Sequence, residues 1–330
     1  MNPVKQSNGT AQNQIRTILL GTDWHTDCDD AVAIRVLAWA QRRGMVQIGG
    51  ISIDSAMACS VSSLRAFLKC EGVAEVPVAL DHGAFDYGGE TRYQPRLAAG
   101  RDWRRENDSA EESLRMYRRL LAASGAPVDL VEIGFSQVLA ALLTSEADEF
   151  SALSGAELVR QKVGRLWVMG GNWGENAVPE FNFSKTEKAR NAICTVLRCC
   201  PVPITFLGFE AAETVLSGGI LRDCAWEDAL RDVLADHGSA GGRPSWDPLL
   251  VYLACVGNAE AAGFRCVRGW ATVDPETGCS RFRRDPGGRH CYVVKAYPDA
   301  VYRNTLDSIL WESSCHLNRY KTASHRAAEK

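Results

Sequence analysis

The stretch that most constrains this chain is residues 18–34, where three apolar residues lead into an acidic loop and then into an apolar, alanine-rich segment. The short apolar run predicts a strand, the polar residues after it predict a loop, and the apolar residues at helical spacing predict a helix. Carboxylates crowded in one loop repel one another unless a positive charge neutralises them. A hard divalent cation with oxygen ligands, calcium or magnesium, is the simplest such charge. The loop holds four carboxylates within eight positions: Asp23, Asp27, Asp29 and Asp30.

Aspartates at the start of a helix also have an ordinary explanation. They cap the first turn and interact favourably with the positive end of the helix dipole. Capping accounts for one or two of the four aspartates, but Asp23 lies before the turn. The spacing therefore favours a cation site over simple capping.

The composition indicates an ordinary globular protein. The 330 residues are 46% hydrophobic and 23% charged, and the net charge of −3 gives no reason to expect nucleic acid or an anionic membrane as a partner. No apolar stretch approaches the roughly 18 residues of a membrane span, and the polar N-terminus lacks the apolar core of a secretory signal. We therefore expect a cytoplasmic protein whose twelve scattered cysteines stay reduced.

Strand-like and helix-like segments alternate along the chain. This alternation predicts an α/β fold with a mostly parallel central sheet and helices on both faces. Ligands of such folds bind beyond the carboxyl ends of the strands, which is where the acidic loop lies. Ser109 and Glu112 have the spacing of a capping box, which predicts a helix over 109–123, whereas residues 81–108 read as a long irregular loop. No repeat or linker divides the chain, so we expect a disordered tail over 1–14, a single catalytic domain over 15–315 and a polar C-terminal tail over 316–330.

Three further segments place polar residues after predicted strands or before a helix. The first, 170–176, contains Asn172 and Asn176 among glycines that allow close backbone approach. In the second, Glu180 and Asn182 alternate with aromatic residues, and on an extended backbone they would point the same way. In the third, Asp247 follows Trp246 ahead of an apolar helix. Solvated loops and, for Asp247, an ordinary helix cap are the competing explanations.

Taken in order, these segments resemble the inosine–uridine preferring nucleoside hydrolase family. The family signature is Asp-Thr-Asp-Pro-Gly-x-Asp-Asp, and residues 21–30 read Gly-Thr-Asp-Trp-His-Thr-Asp-Cys-Asp-Asp, followed by Ala-Val-Ala-Ile. The resemblance spans about residues 16–310 and implies the Rossmann-like nucleoside hydrolase fold. The other family motifs follow in order as Leu130–Gly134, Val168–Gly171, Pro179–Asn182, where the family has Ala-Glu-Phe-Asn, and Trp246–Pro248, where many members have His-Asp-Pro.

The resemblance implies calcium-dependent hydrolysis of the N-glycosidic bond of ribonucleosides, and a homodimer or homotetramer. Asp23 matches the residue that both binds the metal and takes the proton from the attacking water. Asp29 matches a catalytic residue that holds the ribose hydroxyls. The remaining metal ligands implied are Asp30, Asp247 and the backbone carbonyl of Ile133, and the remaining substrate-binding residues are Asn172, Asn176, Glu180 and Asn182.

The chain departs from the family pattern in the acidic loop and at the residue that would contact the nucleobase. Two extra residues in the loop make Asp27 an additional carboxylate, so either Asp27 or Asp29 could bind the ribose. Gly21 replaces the first aspartate of the signature, which puts a supporting residue in doubt rather than a ligand. Trp246 stands where many members have the histidine that protonates the base, and its indole could stack on the base or simply pack. The asparagine that the family has after its second strand is not matched by Asp54 or its neighbours.

Two other functions remain open from the sequence. The substrate could be another N-ribosyl metabolite, since the arginine-rich segment 92–105 could bind a phosphate. Alternatively, the protein could be a catalytically silent ribose-binding relative that retains the carboxylates without turnover.

Overall fold

A computed structural model of the chain describes residues 15–174 and 178–328, so the predicted tail over 1–14 lies outside the described residues. Within these ranges, ten strands form one sheet in the order β11-β10-β12-β7-β6-β5-β1-β2-β3-β4, and β8 pairs with β9. The pairings from β12 to β4 are parallel, whereas β10 is antiparallel to both of its neighbours. The strands are β1 Arg16–Thr22, β2 Val46–Ser55, β3 Val78–Phe85, β4 Glu111–Glu112, β5 Val128–Glu132, β6 Val163–Met169, β7 Ile204–Leu207, β8 Leu216–Ser217, β9 Arg243–Pro244, β10 Phe264–Val273, β11 Ser280–Arg284 and β12 His290–Lys295.

Helices cover both faces of this sheet, which confirms the predicted α/β class. The apolar residues of β1 alternate between the faces, because successive strand side chains point in opposite directions. Ile18 and Leu20 pack into one buried cluster with α1, α2 and α12, and Leu19 packs into a second with α5, α6 and α9. The helices are α1 Asp29–Arg42, α2 Ser60–Cys70, α3 Tyr93–Leu97, α4 Trp103–Asp108, α5 Ser113–Ala123, α6 Gln137–Thr144, α7 Gly155–Lys162, α8 Phe181–Ser184, α9 Glu187–Cys199, α10 Phe209–Ala212, α11 Ala229–His237, α12 Trp246–Val256 and α13 Asp299–Ala328, with a 3₁₀ turn at Gly219–Leu221.

The central position of β1 places the acidic loop among the ends of several strands. β1 lies between β2 and β5, and β6 lies next to β5. All four strands run parallel, so their carboxyl ends share one edge of the sheet. The segments after β2, β5 and β6 therefore meet the loop that follows β1.

The helix predicted over 109–123 begins later than expected. Glu111 and Glu112 form β4 and pair with β3, so α5 starts at Ser113 and the capping box predicted at Ser109 and Glu112 is wrong. Strand pairing with β3 is therefore more favourable at these residues than local helix capping. A capping box is present instead at the start of α7, between Ser154 and Glu157.

Two segments expected to lack regular structure contain helices. Residues 81–108 hold the end of β3 and the short helices α3 and α4. The last helix, α13, runs from residue 299 to 328 and crosses the boundary that the sequence suggests at residue 315. None of the helices in the described ranges is long and apolar enough to cross a bilayer.

A buried ion triad ties α1 to two other helices. Arg35, only 1% exposed, donates from Nε and Nη2 to Glu71 and from Nη1 to Asp228 at 2.8 Å. Arg35→Met strands two buried carboxylates, so we expect it to lower the free energy of unfolding by about 3–5 kcal/mol, measured by urea denaturation. Arg119→Met is the matched control, because Arg119 pairs with Glu111 near the surface and should cost about 1 kcal/mol or less. Equal losses of unfolding free energy in the two variants would show that the buried triad stabilises the fold no more than the surface pair does.

Candidate functional site

A cavity of about 300 Å³ opens at the carboxyl edge of the sheet, a volume suited to a small ligand. The sequence-predicted site residues in the described ranges line it, apart from Asn172. Three aromatic residues and one arginine that sequence reasoning missed line it too. The full lining is Asp23, Thr26, Asp27, Asp29, Asp30, Tyr87, Ile133, Met169, Glu180, Phe181, Asn182, Phe209, Arg243, Trp246 and Asp247.

The expanded acidic loop is anchored by Trp24. Its φ of 31° lies in the left-handed region, which bulky residues rarely adopt. The indole is fully buried, packs on Phe67 and Tyr93 with ring centroids 5.6 Å away, and donates from Nε1 to Ser63 Oγ at 2.9 Å. These contacts stabilise a backbone conformation that would otherwise be costly. The fixed backbone conformation at Trp24 therefore positions Asp23, which precedes it, relative to the start of α1, which follows it.

Three buried carboxylates meet in the cavity. Asp29 and Asp30 lie in the first turn of α1 and Asp247 in the first turn of α12, and one oxygen from each lies within 4.8 Å of the others. Burial, reinforced by the neighbouring aspartates, raises the pKa of Asp29 and Asp247 well above the usual range and that of Asp30 to about 6. Ionised carboxylates buried this closely need a counter-charge. An all-oxygen donor set of this kind fits a hard divalent cation.

Asp23 lies beside this cluster rather than within it. Its Oδ2 accepts a hydrogen bond from Tyr87 Oη at 2.8 Å, and its backbone carbonyl accepts from Ser55 Oγ. Burial and the nearby Asp30 raise the pKa of Asp23 well above its ordinary value, which makes the ionised group a stronger base. The ligand role predicted for Asp23 remains a prediction. Tyr87 follows β3 in a segment without a recognisable motif, so no sequence signal pointed to it.

Glu180 and Asn182 both reach the cavity, Glu180 from an extended backbone and Asn182 from a helical turn. Residues 181–184 form α8, so the extended conformation expected here is wrong for Asn182. Glu180 caps this helix and accepts from the backbone N–H groups of Asn182 and Gly171, at 2.8 and 3.0 Å. Asn182 Nδ2 donates to the carbonyl of Ile133 at 3.2 Å, which fixes the amide against the end of β5. Burial raises the pKa of Glu180 to about 7.

The additional carboxylate of the loop is paired with Arg243. Arg243 donates from Nε to Asp27 Oδ1 at 2.9 Å and from Nη2 to Oδ2, a two-pronged contact. The same guanidinium lies 5.4 Å from the ring centroid of Trp246. Asp29, in contrast, accepts from the residues that the structure describes only a long 3.4 Å bond, donated by the backbone N–H of Asp247. Of the two alternatives for the ribose, Asp29 is therefore the less engaged carboxylate.

Trp246 forms one wall of the cavity together with Phe209. The two rings stack with centroids 5.2 Å apart, and the indole N–H donates to the Phe209 carbonyl at 3.1 Å. The indole orientation is fixed by these contacts.

One predicted residue, Asn172, does not join the cavity lining. Asn172 exchanges backbone hydrogen bonds with Ser280 Oγ at 2.8 and 2.9 Å, and its side chain accepts from Gly174. Asn176 lies outside the described residues. Their substrate-binding roles stay predictions.

A second cavity of about 560 Å³ adjoins the first and shares Thr26, Asp27 and Arg243 with it. Arg92 and His237 also line this space. Two other residues of the arginine-rich segment are already paired: Arg96 with Asp232 and Asp236, and Arg101 with Glu106.

Comparison with known proteins identifies the fold. No protein-family model and no curated protein matches the chain. A plant nucleoside hydrolase, PpNRh1, matches with a TM-score of 0.64 and 16% identity over 90% of this chain and 98% of the other. The inosine–uridine preferring nucleoside hydrolase of Bacillus anthracis matches with 0.60 and 16% over 89% and 100%, and the type III effector XopQ, complexed with adenosine diphosphate ribose, with 0.65 and 16% over 91% and 95%. The chain therefore has the nucleoside hydrolase fold, as the resemblance implied.

Proposed function

We propose that this protein is a calcium-dependent hydrolase that cleaves the N-glycosidic bond of ribonucleosides and releases free base and ribose. The observation that carries the proposal is the cluster of Asp29, Asp30 and Asp247 beside Asp23, in a cavity of nucleoside size. Buried carboxylates of this number are costly without a cation, and the same fold occurs in nucleoside hydrolases.

The arrangement matches what the reaction requires. Breaking a ribosyl–base bond builds positive charge on the sugar, as in glycoside hydrolysis. Carboxylates around the ribose stabilise that charge more than they stabilise the neutral substrate. In the proposed mechanism Asp23 takes the proton of the attacking water, while Asp29, Glu180 and Asn182 bind the ribose hydroxyls. Asp23, Asp30, Asp247 and the Ile133 carbonyl would hold a calcium ion, which when bound would lower the pKa of that water.

Trp246 is proposed to stack on the leaving base. A base–aromatic stack is worth about 1–3 kcal/mol, so we expect Trp246→Ala to raise KM for nucleosides about 5- to 150-fold. Trp246→Phe keeps an aromatic face and should retain most of the affinity. Steady-state kinetics on both variants measure the effect. If Trp246→Ala lowers the melting temperature but leaves KM unchanged, the indole only packs against Phe209.

A second candidate substrate class is an extended N-ribosyl metabolite. The second cavity favours it, because a ligand longer than a nucleoside could pass Asp27 and Arg243 into that space. The XopQ structure contains adenosine diphosphate ribose, a compound of this class.

The decisive experiment is a hydrolysis panel of purine and pyrimidine nucleosides plus adenosine diphosphate ribose, run with added calcium or with a chelator. Free base is measured by chromatography for every substrate, and ribose is measured as reducing sugar for the nucleosides. We expect base release from nucleosides that depends on the cation, and about one bound calcium per chain in metal analysis. Release only from adenosine diphosphate ribose would favour the second class. Binding without any release would indicate a catalytically silent relative, and absence of bound metal would contradict the cation site.

A further inference from the structure

Glu132 occupies the space that a side chain at Gly21 would need. The two residues are direct partners in the pairing of β1 with β5. A Cβ added to Gly21 would lie 2.3 Å from Glu132 Oε2 and 2.6 Å from Glu132 Cδ, and the three nearest atoms all belong to this carboxyl group. Gly21 is the position at which the signature described above carries its first aspartate. One carboxyl group can therefore be accommodated here, either from β1 or from β5.

Asp54, near the end of β2, completes a buried pair with Glu132. Both side chains are fully buried, and no side-chain N–H group within residues 15–174 and 178–328 donates to either Asp54 carboxyl oxygen or to Glu132 Oε2. The backbone N–H of Phe135 lies near the Asp54 carboxyl group. Glu132 Oε1 accepts from the backbone N–H of Gly134 at 3.1 Å. The two carboxyl groups are joined to each other by a side-chain hydrogen bond.

This pair lies directly behind the backbone of Asp23. A Cβ on Gly134 would meet Asp23 N at 2.5 Å and Asp54 Oδ1 at 2.6 Å, so the Asp54 carboxyl group and the Asp23 backbone pack on the same glycine. The Gly21 carbonyl accepts from the backbone N–H of Ile133 at 2.9 Å. The ends of β1, β2 and β5 are thus joined behind the loop that carries Asp23.

We infer that Glu132 is a positioning residue for Asp23: it supplies from β5 the carboxyl group that the signature places on β1, and with Asp54 it holds the start of the acidic loop. This inference rests on the proposed hydrolase function for its kinetic consequences. A residue that supports catalytic or metal-binding groups from behind typically contributes about 10- to 100-fold in activity or metal affinity.

The test is an exchange of the carboxyl group between the two strands. Glu132→Ala removes the group and leaves Asp54 without a partner, and Gly21→Asp alone clashes with Glu132. We expect either single variant to lower kcat by about 10- to 100-fold with little change in KM. The double variant Gly21→Asp/Glu132→Ala returns a carboxyl group to the same volume and should recover most of the lost kcat. Glu132→Gln is the conservative control, because its amide can donate to Asp54 and should stay close to wild type.

A second readout separates this inference from the proposed function. The rise in melting temperature on adding calcium should shrink in both single variants and return in the double variant, whether or not any nucleoside is hydrolysed. A wild-type protein without hydrolase activity or calcium binding would overturn the proposed function, and the melting temperatures of the single and double variants without calcium would still test the positioning role. Wild-type behaviour of Glu132→Ala, or a double variant no better folded and no more active than the worse single variant, would overturn the inference.

Discussion

Asp23→Asn is expected to lower kcat for nucleoside hydrolysis by about a hundred- to ten-thousand-fold, the usual contribution of a general base. Asparagine keeps the shape of the side chain, and its amide oxygen can still accept from Tyr87 Oη, but it cannot take a proton from water. The variant should fold as well as wild type, since burial already disfavours the charged form of Asp23. Initial rates of base release at saturating nucleoside measure the effect.

Asp223→Asn is the matched control for this substitution. Asp223 is an exposed residue that pairs with the adjacent Arg222, so its loss should leave both kcat and stability unchanged. If Asp23→Asn kept a rate within about threefold of the control, well below the usual contribution of a base, the water would be activated elsewhere in the cavity.

Removal of the cation is expected to destabilise the protein much more at pH 8 than at pH 5. Without a cation, the pKa of Asp30 rises from 3.8 to about 6, and Asp29 and Asp247 shift in the same direction. At these groups the folded state then binds protons more tightly than the unfolded state, so the contribution of Asp30 to stability is complete below about pH 4 and is lost as the pH rises through about 6. For Asp30 alone the loss is about 3 kcal/mol. A bound cation favours the ionised forms and reverses this trend.

Urea unfolding at several pH values, with calcium or with a chelator, measures this difference. Asp247→Asn serves as the internal control, since it removes one of the three crowded charges. At pH 8 the chelated variant should be more stable than the chelated wild type, and added calcium should stabilise it far less. A calcium effect that is equal at both pH values, or absent, would show that these carboxylates do not hold the cation.

The part of the site that sequence could predict is the part encoded locally. The apolar run of β1, the acidic loop and the helical spacing of α1 lie within one short segment, and the structure forms all three. The motifs around Glu180 and Asp247 were also recognisable, because each combines a polar residue with a strand end or a helix start.

The rest depends on contacts between distant segments. Tyr87 and Arg243 reach the cavity from a segment with no motif and from a two-residue strand, so only the tertiary arrangement brings them to Asp23 and Asp27. The Gly21–Glu132 relation depends on the register between β1 and β5, which separate segments of sequence do not reveal. The helix start predicted at Ser109 was wrong for the same reason, since pairing with β3 overrode local capping.

Trp24 gives the site a dependence on residues far from its chemistry. The indole is buried between α2 and α3, yet its backbone directly follows Asp23. A substitution that loosens Phe67 or Tyr93 removes the packing that holds the left-handed turn, and the carboxylate of Asp23 loses its fixed direction with it. Substitutions in α2 that lower folding stability are therefore expected to disturb the position of Asp23 as well, although none of them lies in the cavity.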